Sequence, residues 1–467
     1  MKFSLRLSHK SRILLIVFAL ACLVLLSLPP SFNSPRLHTD LMKGPELSSL
    51  YTDQYIDEYG SIKHLIGEHD KSQVSIDALV EKALKPWQLE GVSEENLMGI
   101  FGFRQGEGCF MVQLIDGQLY MWHPLPQYAP APEKDAPWPF WLFSARRSGI
   151  LQLIHLALNT NSVASIGNIE MVFCLGDCIV SQGADSTLRN FAEDPPIDND
   201  PAPAFTIVRC DGSMNIPFPM WENSTKINWN DNFDKWDRRV DEILANAALH
   251  PFIQRKDQAV FRGGERSCFF LGGKMTKFSN DFANPDLEKA KRCGRTALLH
   301  AALTAGIDRD KFDVAFTSAG QDWSKFWGPQ DEPNQMPMSE QERFKAVIYA
   351  EGHCGWASRL RVQLHMGSAL LLQETPCIEH YGMLLKPWVH YIPVKYDFSD
   401  LVEKTSWVME HPNDVMSMVD RMHAYSEKIL TKNAVVEYVE KLLFGYSKLQ
   451  SYEVKLRDGA ILYEGSI

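Results

Sequence analysis

The chain reads as an α/β protein of two domains, joined through a stem to one N-terminal apolar helix. Three observations predict that class. The apolar run Ile13 to Leu28 follows the basic residues Lys2, Arg6, Lys10 and Arg12 and has no counterpart later in the chain. About 430 residues remain beyond it, more than one core usually organises. Short apolar strands then alternate with helices through the C-terminal half, the rhythm of a parallel sheet wound on both faces.

At 1.5 Å of rise per residue the apolar run reaches about 24 Å, short of the roughly 30 Å core of an average bilayer and closer to the thinner membranes of the early secretory pathway. Its basic flank stays cytosolic, which puts everything after Pro30 in the lumen. Residues 1–12 are therefore expected as a cytosolic tail, 13–28 as a transmembrane signal anchor, and 29–70 as a polar, proline-containing stem. A cleaved signal peptide shares the pattern of basic head, apolar middle and small residues (Ser27, Ser31), but Leu28-Pro29-Pro30 is a poor cleavage site. Either reading gives a lumenal protein. The C-terminal residues Glu464-Gly465-Ser466-Ile467 are not a KDEL-type signal, so the expectation is that the short anchor sets residence in the endoplasmic reticulum or Golgi membrane, single-pass and type II.

A hydrophobic content of 45% and a charged content of 22% are ordinary for a folded protein. The net charge of −11 argues against nucleic acid and acidic membrane surfaces as partners, while leaving room for a local basic pocket. Of nine cysteines, Cys22 lies in the apolar run; Cys109, Cys174, Cys178, Cys210, Cys268, Cys293, Cys354 and Cys377 remain for the lumen, where an even number suggests disulfides. Cys174 and Cys178 have CxxxC spacing, but no second pair or nearby histidine supports zinc. Asn223-Ser224-Thr225 is a glycosylation sequon, in agreement with the lumenal assignment.

Along the chain, residues 121–140 are rich in proline and aromatics and predict a packed irregular segment. Ile150, Leu151, Ile154 and Leu158 lie on one face of a helix from Ser148 to Asn159. Ile169 to Leu175 reads as a strand stopping at Gly176-Asp177, and an Asp- and Pro-rich loop runs from Glu193 to Pro203. In the C-terminal half the strands are Ala259 to Phe261, Phe312 to Phe316, Ala346 to Ala350, Ala369 to Leu372 and Val389 to Val394. Helices are expected at Ser358 to Met366, Ile378 to Leu384 and Ser399 to Met409. Two amphipathic helices close the chain, about 413–430 and 434–449; the stripe Val435, Val436, Val439, Leu442, Leu443, Tyr446 reads as core.

Ligands of wound parallel sheets sit at the carboxyl ends of the strands. Three segments put polar residues there. Phe261-Arg262-Gly263-Gly264-Glu265-Arg266-Ser267 follows a strand, and arginines flanking glycines would let a diphosphate approach the backbone; a tight turn with surface arginines has the same pattern. Tyr349 to Leu360 is a strand, a glycine-marked turn and a helix start near Ala357 and Ser358, where unpaired amides and Arg359 favour phosphate oxygens and Glu351 could accept from ribose hydroxyls. A charge on a solvated turn is the alternative. At Gly176-Asp177 a carboxylate could take a proton from an attacking hydroxyl, or merely cap the next turn. Asp198-Asn199-Asp200 has DxD spacing in a proline-rich loop, poor context for a metal. No GxSxG occurs; His353, His365, His380 and His390 lack ligand spacing, and His390 fits a packed core as well as a catalytic place.

The run Leu384-Leu385-Lys386-Pro387-Trp388-Val389-His390-Tyr391-Ile392-Pro393-Val394, with Asp397 and Ser399-Asp400-Leu401 after it, resembles the most diagnostic segment of the family 90 glycosyltransferases. That group includes protein O-glucosyltransferases of the secretory pathway and fungal capsule-associated xylosyltransferases. Upstream, Glu351-Gly352 to Ser358-Arg359-Leu360, Gly367-Ser368 to Leu372, Phe261-Arg262-Gly263, Pro217 to Trp221 and Ile169 to Asp177 extend the resemblance over about residues 95–450.

The resemblance implies a GT-B architecture: an acceptor domain at 71–250, a nucleotide-sugar domain at 251–410, both Rossmann-like, and C-terminal helices at 411–467 packing across them. It implies inverting transfer of glucose or xylose from a UDP-sugar co-substrate to a hydroxyl of a protein or glycan, with no metal or other cofactor. Asp177 then matches the catalytic base; Arg262, Ser358 and Arg359 match donor-binding positions; Gly263 and Glu351 fall in the same motifs with less defined roles. Asp177 is followed by Cys178-Ile179-Val180 where the glucosyltransferases carry an aromatic and a proline, which leaves the acceptor open. A catalytically silent relative that only binds glycans or glycoproteins is the alternative.

Overall fold

Successive apolar residues along the C-terminal strands alternate between two separate cores. Ala259, Phe261, Ala346, Ile348, Ala369 and Leu371 pack into one, and Val260, Val347, Leu370 and Leu372 into the other. That is the period-two signature of a sheet buried on both faces. The computed structural model describes residues 74–464 apart from 103–108, 125–139, 160–165, 176–202, 211–212, 220–228, 267–269, 272–273, 276–286, 293, 319–334 and 353–354. The anchor and stem, Asp177, the Asp198-Asn199-Asp200 loop, Asn223 and His353 lie outside the described residues. No described helix is long and apolar enough to cross a membrane.

The strands are β1 (Cys109–Ile115), β2 (Gln118–Trp122), β3 (Ile169–Cys174), β4 (Ala204–Thr206), β5 (Val208–Cys210), β6 (Ile216–Pro217), β7 (Lys256–Gly263), β8 (Phe270–Leu271), β9 (Lys274–Met275), β10 (Phe312–Phe316), β11 (Phe344–Tyr349), β12 (Ala369–Gln373), β13 (Cys377–Glu379), β14 (Ile392–Val394) and β15 (Ile461–Leu462). The helices are α1 (Ile76–Leu84), α2 (Glu94–Gly99), α3 (Phe140–Leu158), α4 (Trp229–Leu249), α5 (Leu287–Ala290), α6 (Gly294–Leu303), α7 (Arg359–Gln363), α8 (Leu401–Glu410), α9 (Pro412–Ile429) and α10 (Lys432–Ser447).

One sheet has the order β15-β2-β1-β3-β4-β6, antiparallel as far as β3 and parallel from β3 to β6. The other has the order β10-β7-β11-β12-β14 and is parallel throughout. Counted within that sheet the strand order is 2-1-3-4-5, a doubly wound arrangement whose direction of winding reverses between β7 and β11. Its residues were legible as alternating elements; α6 and α8 cover one face, and the other joins the core that also contains β1, β3, α1, α3 and α10. Val435, Val439, Leu442, Leu443 and Tyr446 are all fully buried there, as the apolar stripe predicts, with Val436 at the margin.

Three expectations change. The helix expected from Ser148 begins at Phe140. Ile378 to Leu384 does not form a helix: β13 pairs with β5, and the Cys210–Cys377 disulfide pulls the segment into an extended ribbon before a single turn at His380–Gly382. The strand expected from Val389 begins only at Ile392, because Trp388 takes a left-handed conformation (φ 62°) and its amide donates to Tyr391 at 2.7 Å. A second disulfide, Cys109–Cys174, crosses β1 and β3, so Cys174 is engaged away from Cys178.

Candidate functional site

The reversal point between β7 and β11 is where the connections leave in opposite directions, the place at which wound parallel sheets generally bind ligands beyond the carboxyl ends of their strands. Both motifs singled out in the C-terminal half end there. β7 terminates in Arg262-Gly263, and β11 leads into Glu351-Gly352 and on to α7, whose first residue is Arg359.

Phe261, on the face of β7 toward α6, is the platform. The Arg359 guanidinium carbon lies 4.7 Å from its ring centroid and that of Arg295 5.6 Å, so one aromatic ring carries two cations. Arg359 Nη1 donates to the main-chain carbonyl of Arg262 at 2.8 Å. Arg295 donates from Nε to the Glu351 carbonyl at 2.8 Å and from Nη1 to the Gly264 carbonyl at 2.7 Å. Nη2 of each arginine has no acceptor among the described residues. Burial lowers the Arg359 pKa to about 10, with Tyr349 opposing and Arg266 adding to the shift. Arg295 is pushed well below its usual range by burial, then by the charges of Arg359 and Arg266. Both remain cations at neutral pH, held close together by carbonyls and a ring instead of by carboxylates.

Gly263 makes this approach feasible. A Cβ at that position would stand 2.6 Å from Arg359 Nη2 and 3.3 Å from Arg295 Nη1. Its role is thus to admit guanidinium groups across the strand end. Gly355, at φ 76°, and the Gly352 amide donating to the Trp356 carbonyl at 2.8 Å close the turn that brings Arg359 back over β7.

The structure does not bring Arg262 into this pair. Successive residues of a strand face opposite sides, and the Arg262 guanidinium lies on the other face, in an ion pair with Asp313 of β10 and a 2.7 Å bond to the Asp313 carbonyl. Ser358 precedes α7, and its hydroxyl makes no capping bond; the helix is only five residues long. Glu351 is buried, with its amide donating to Gln373 Oε1 at 2.8 Å and its carboxyl against the Tyr396 hydroxyl. Gln373 Nε2 donates to the Tyr396 carbonyl at 2.6 Å, so the ends of β11, β12 and β14 share one polar network.

Arg295, Gln373 and Tyr396 were missed from sequence. Gln373 and Tyr396 follow the predicted strands at their carboxyl ends, the level at which Arg262 and Glu351 were found, and that placement was the available signal. Arg295 gave none, since it opens a helix whose strand partner is distant in sequence. Of the histidines, His390 is a core residue: its Nδ1 accepts from the Lys386 amide at 3.0 Å and its ring packs 4.9 Å from Tyr425. His365 and His380 are buried, and burial lowers their pKa values to about 4 and about 3. A cavity of about 350 Å³ between α4 and α9, lined by Trp236, Val240, His365 and His423 among others, contains none of the residues at the reversal point.

Comparison with known proteins covers both sheets. Protein O-glucosyltransferase 1 of Homo sapiens is 24% identical over 286 residues, 58% of this chain and 64% of that protein. Protein O-glucosyltransferase 3 of Homo sapiens is 33% identical over 97 residues, 21% of this chain and 19% of that protein. Uncharacterized protein 179R of Invertebrate iridescent virus 6 is 26% identical over 216 residues, 41% of this chain and 17% of that protein. The chain therefore spans less than a fifth of two of these relatives and under two thirds of the other. The model of the family described as glycosyl transferase family 90 matches residues 75–464, from the start of α1 past β15 and through the whole arginine site. On that match, the chain belongs to glycosyl transferase family 90.

Proposed function

We propose that this chain is a lumenal glycosyltransferase that moves glucose or xylose from a UDP-sugar to a hydroxyl of a protein or glycan acceptor, with inversion and without a metal ion. The observation that carries the reading is the pair Arg295 and Arg359 at the reversal point, stacked on Phe261 with donors left over and, among the described residues, no carboxylate paired to either. Such a pair is matched to a diphosphate leaving group, whose charge grows as the glycosyl bond breaks. The names of the protein O-glucosyltransferase relatives support a protein hydroxyl as acceptor.

In this reading the acceptor oxygen attacks the anomeric carbon while the bond from that carbon to the β-phosphate oxygen breaks. The bonding pair departs with UDP, the acceptor proton passes to Asp177, and one displacement inverts the centre. Arg359 and Arg295 hold the departing diphosphate, Gly263 keeps their approach open, and Arg262 ties β7 to β10 from the opposite face. GT-B domains at 71–250 and 251–410, with 411–467 across them, and a membrane anchor at 13–28 complete the proposal, placing the enzyme in the endoplasmic reticulum or Golgi.

The test is hydrolysis and transfer with a panel of UDP-sugars. Asp177→Asn is expected to lower turnover by about 10²–10⁴-fold, the range of general-base contributions, while UDP still binds. A silent glycan-binding relative would turn over no donor in the unsubstituted protein.

A further inference from the structure

Glu351 is 3% exposed, at the carboxyl end of β11 beside the arginines, yet among the described residues no cation pairs with its carboxyl group. Arg295 spends its Nε on the Glu351 main-chain carbonyl and Nη1 on Gly264, and neither bond reaches the Glu351 side chain. Among the described residues the carboxyl has one hydrogen-bond partner, the Tyr396 hydroxyl on Oε1, while Oε2 is buried with none. Gly294, at the start of α6, leaves just enough room: a Cβ there would lie 3.0 Å from Oε1. A buried carboxylate with no direct ion pair and one neutral hydrogen-bond partner is so costly that such groups take up a proton instead.

We propose that Glu351 is held as a neutral carboxylic acid, a positioning residue that fixes Arg295 through its main-chain carbonyl while leaving the charge of Arg295 and Arg359 available to a diphosphate. This rests on the reading of the arginine pair as a donor site. The consequence is that ionisation of Glu351 adds a negative charge beside the bound diphosphate and weakens its binding.

Burial pushes the Glu351 carboxyl up to about 8, against the Tyr396 hydrogen bond and the Arg295 charge. The groups facing it are Arg295 from α6, Tyr349 from β11 and Tyr396 after β14; Gln373 from β12 is uncharged. Tyr349 is raised by burial and Arg359 titrates near 10, so Glu351 is the first of the set to ionise on the alkaline side. A single proton linked to binding changes affinity by at most about tenfold per pH unit.

The experiment is UDP titration calorimetry on the full chain from about pH 7 to pH 9, for the unsubstituted protein and Glu351→Gln, with infrared spectra of both. The expected result is a UDP Kd that rises up to about tenfold over that range in the unsubstituted protein and stays flatter in Glu351→Gln. The ionisations of UDP itself cancel in the comparison. A protonated-carboxyl stretch should be present at neutral pH and missing from Glu351→Gln. Identical pH profiles, or no such stretch at neutral pH, would overturn the inference. If the protein binds no UDP at any pH, the donor-site reading fails, and the infrared band alone decides the state of Glu351. Should Glu351→Gln not fold, Tyr396→Phe serves: loss of the phenol must move the band's midpoint to higher pH, and an unmoved midpoint rejects the proposal.

Discussion

At Gly263 the absence of a side chain decides whether two guanidinium groups can share a ring. A methyl group there would sit 2.6 Å from Arg359 Nη2 and 2.9 Å from the Phe261 ring edge, so one of them must move. The arginine is the mobile partner, and its displacement removes a cation from the ring and from any bound anion. Gly263→Ala is therefore expected to weaken UDP binding by roughly tenfold or more, the equivalent of about 1.4 kcal/mol. Its unfolding temperature should fall by only a few degrees, since overpacking typically costs about 1–3 kcal/mol. Parallel titration and thermal melts check this; unchanged UDP affinity would mean that Arg359 does not contribute where it now stands. Glu351 adds a linked effect on stability. Its folded pKa of about 8 lies above the usual carboxylate value, so its contribution is fully present at acid pH and is lost as pH rises through 8.

At the scale of elements, the ribbon of β5 and β13 joins distant parts of the chain through Cys210–Cys377, a sequence separation of 167 residues. Replacing both cysteines with serine is expected to cost about 2–5 kcal/mol in denaturant unfolding, because a loop of that size is costly to close in the unfolded chain. A loss below about 1 kcal/mol would show that the strand pairing stands without the bond. This ribbon also marks where sequence reading ran out. Periodicity located β10, β11, β12, α8, α9 and α10 closely, because each buries a regular face. It failed at Ile378 to Leu384 and at Val389, where a disulfide partner and a left-handed Trp388 override local pattern. The site was legible to the same degree. Arg359, Gly263 and Glu351 lie together at the strand ends to which the sequence pointed, whereas the Arg262 side chain takes the opposite face of β7, which spacing does not specify. Asp177 lies outside the described residues.

Across the whole molecule, one apolar core runs from α1 and β3 through α10 to one face of the parallel sheet, so the two sheets are not separately buried units. The C-terminal segment fastens the first sheet from outside: Arg457 and Tyr452 each bond the buried Glu170 carboxylate at 2.8 Å, beside the 2.7 Å bond from Gln113 of β1, and β15 extends β2. The formal charge is −11, which by itself repels a nucleotide. In the proposed reading, the local cluster of Arg266, Arg295 and Arg359 supplies the positive charge for the diphosphate. The most direct measurement is calorimetric titration of UDP into the full chain and into Arg359→Ala. The account predicts binding to the former and a Kd about 10–100-fold higher for the latter, the loss of one charge-assisted hydrogen bond of about 1.5–3 kcal/mol. Equal affinity of the two proteins, with the fold intact, would contradict it.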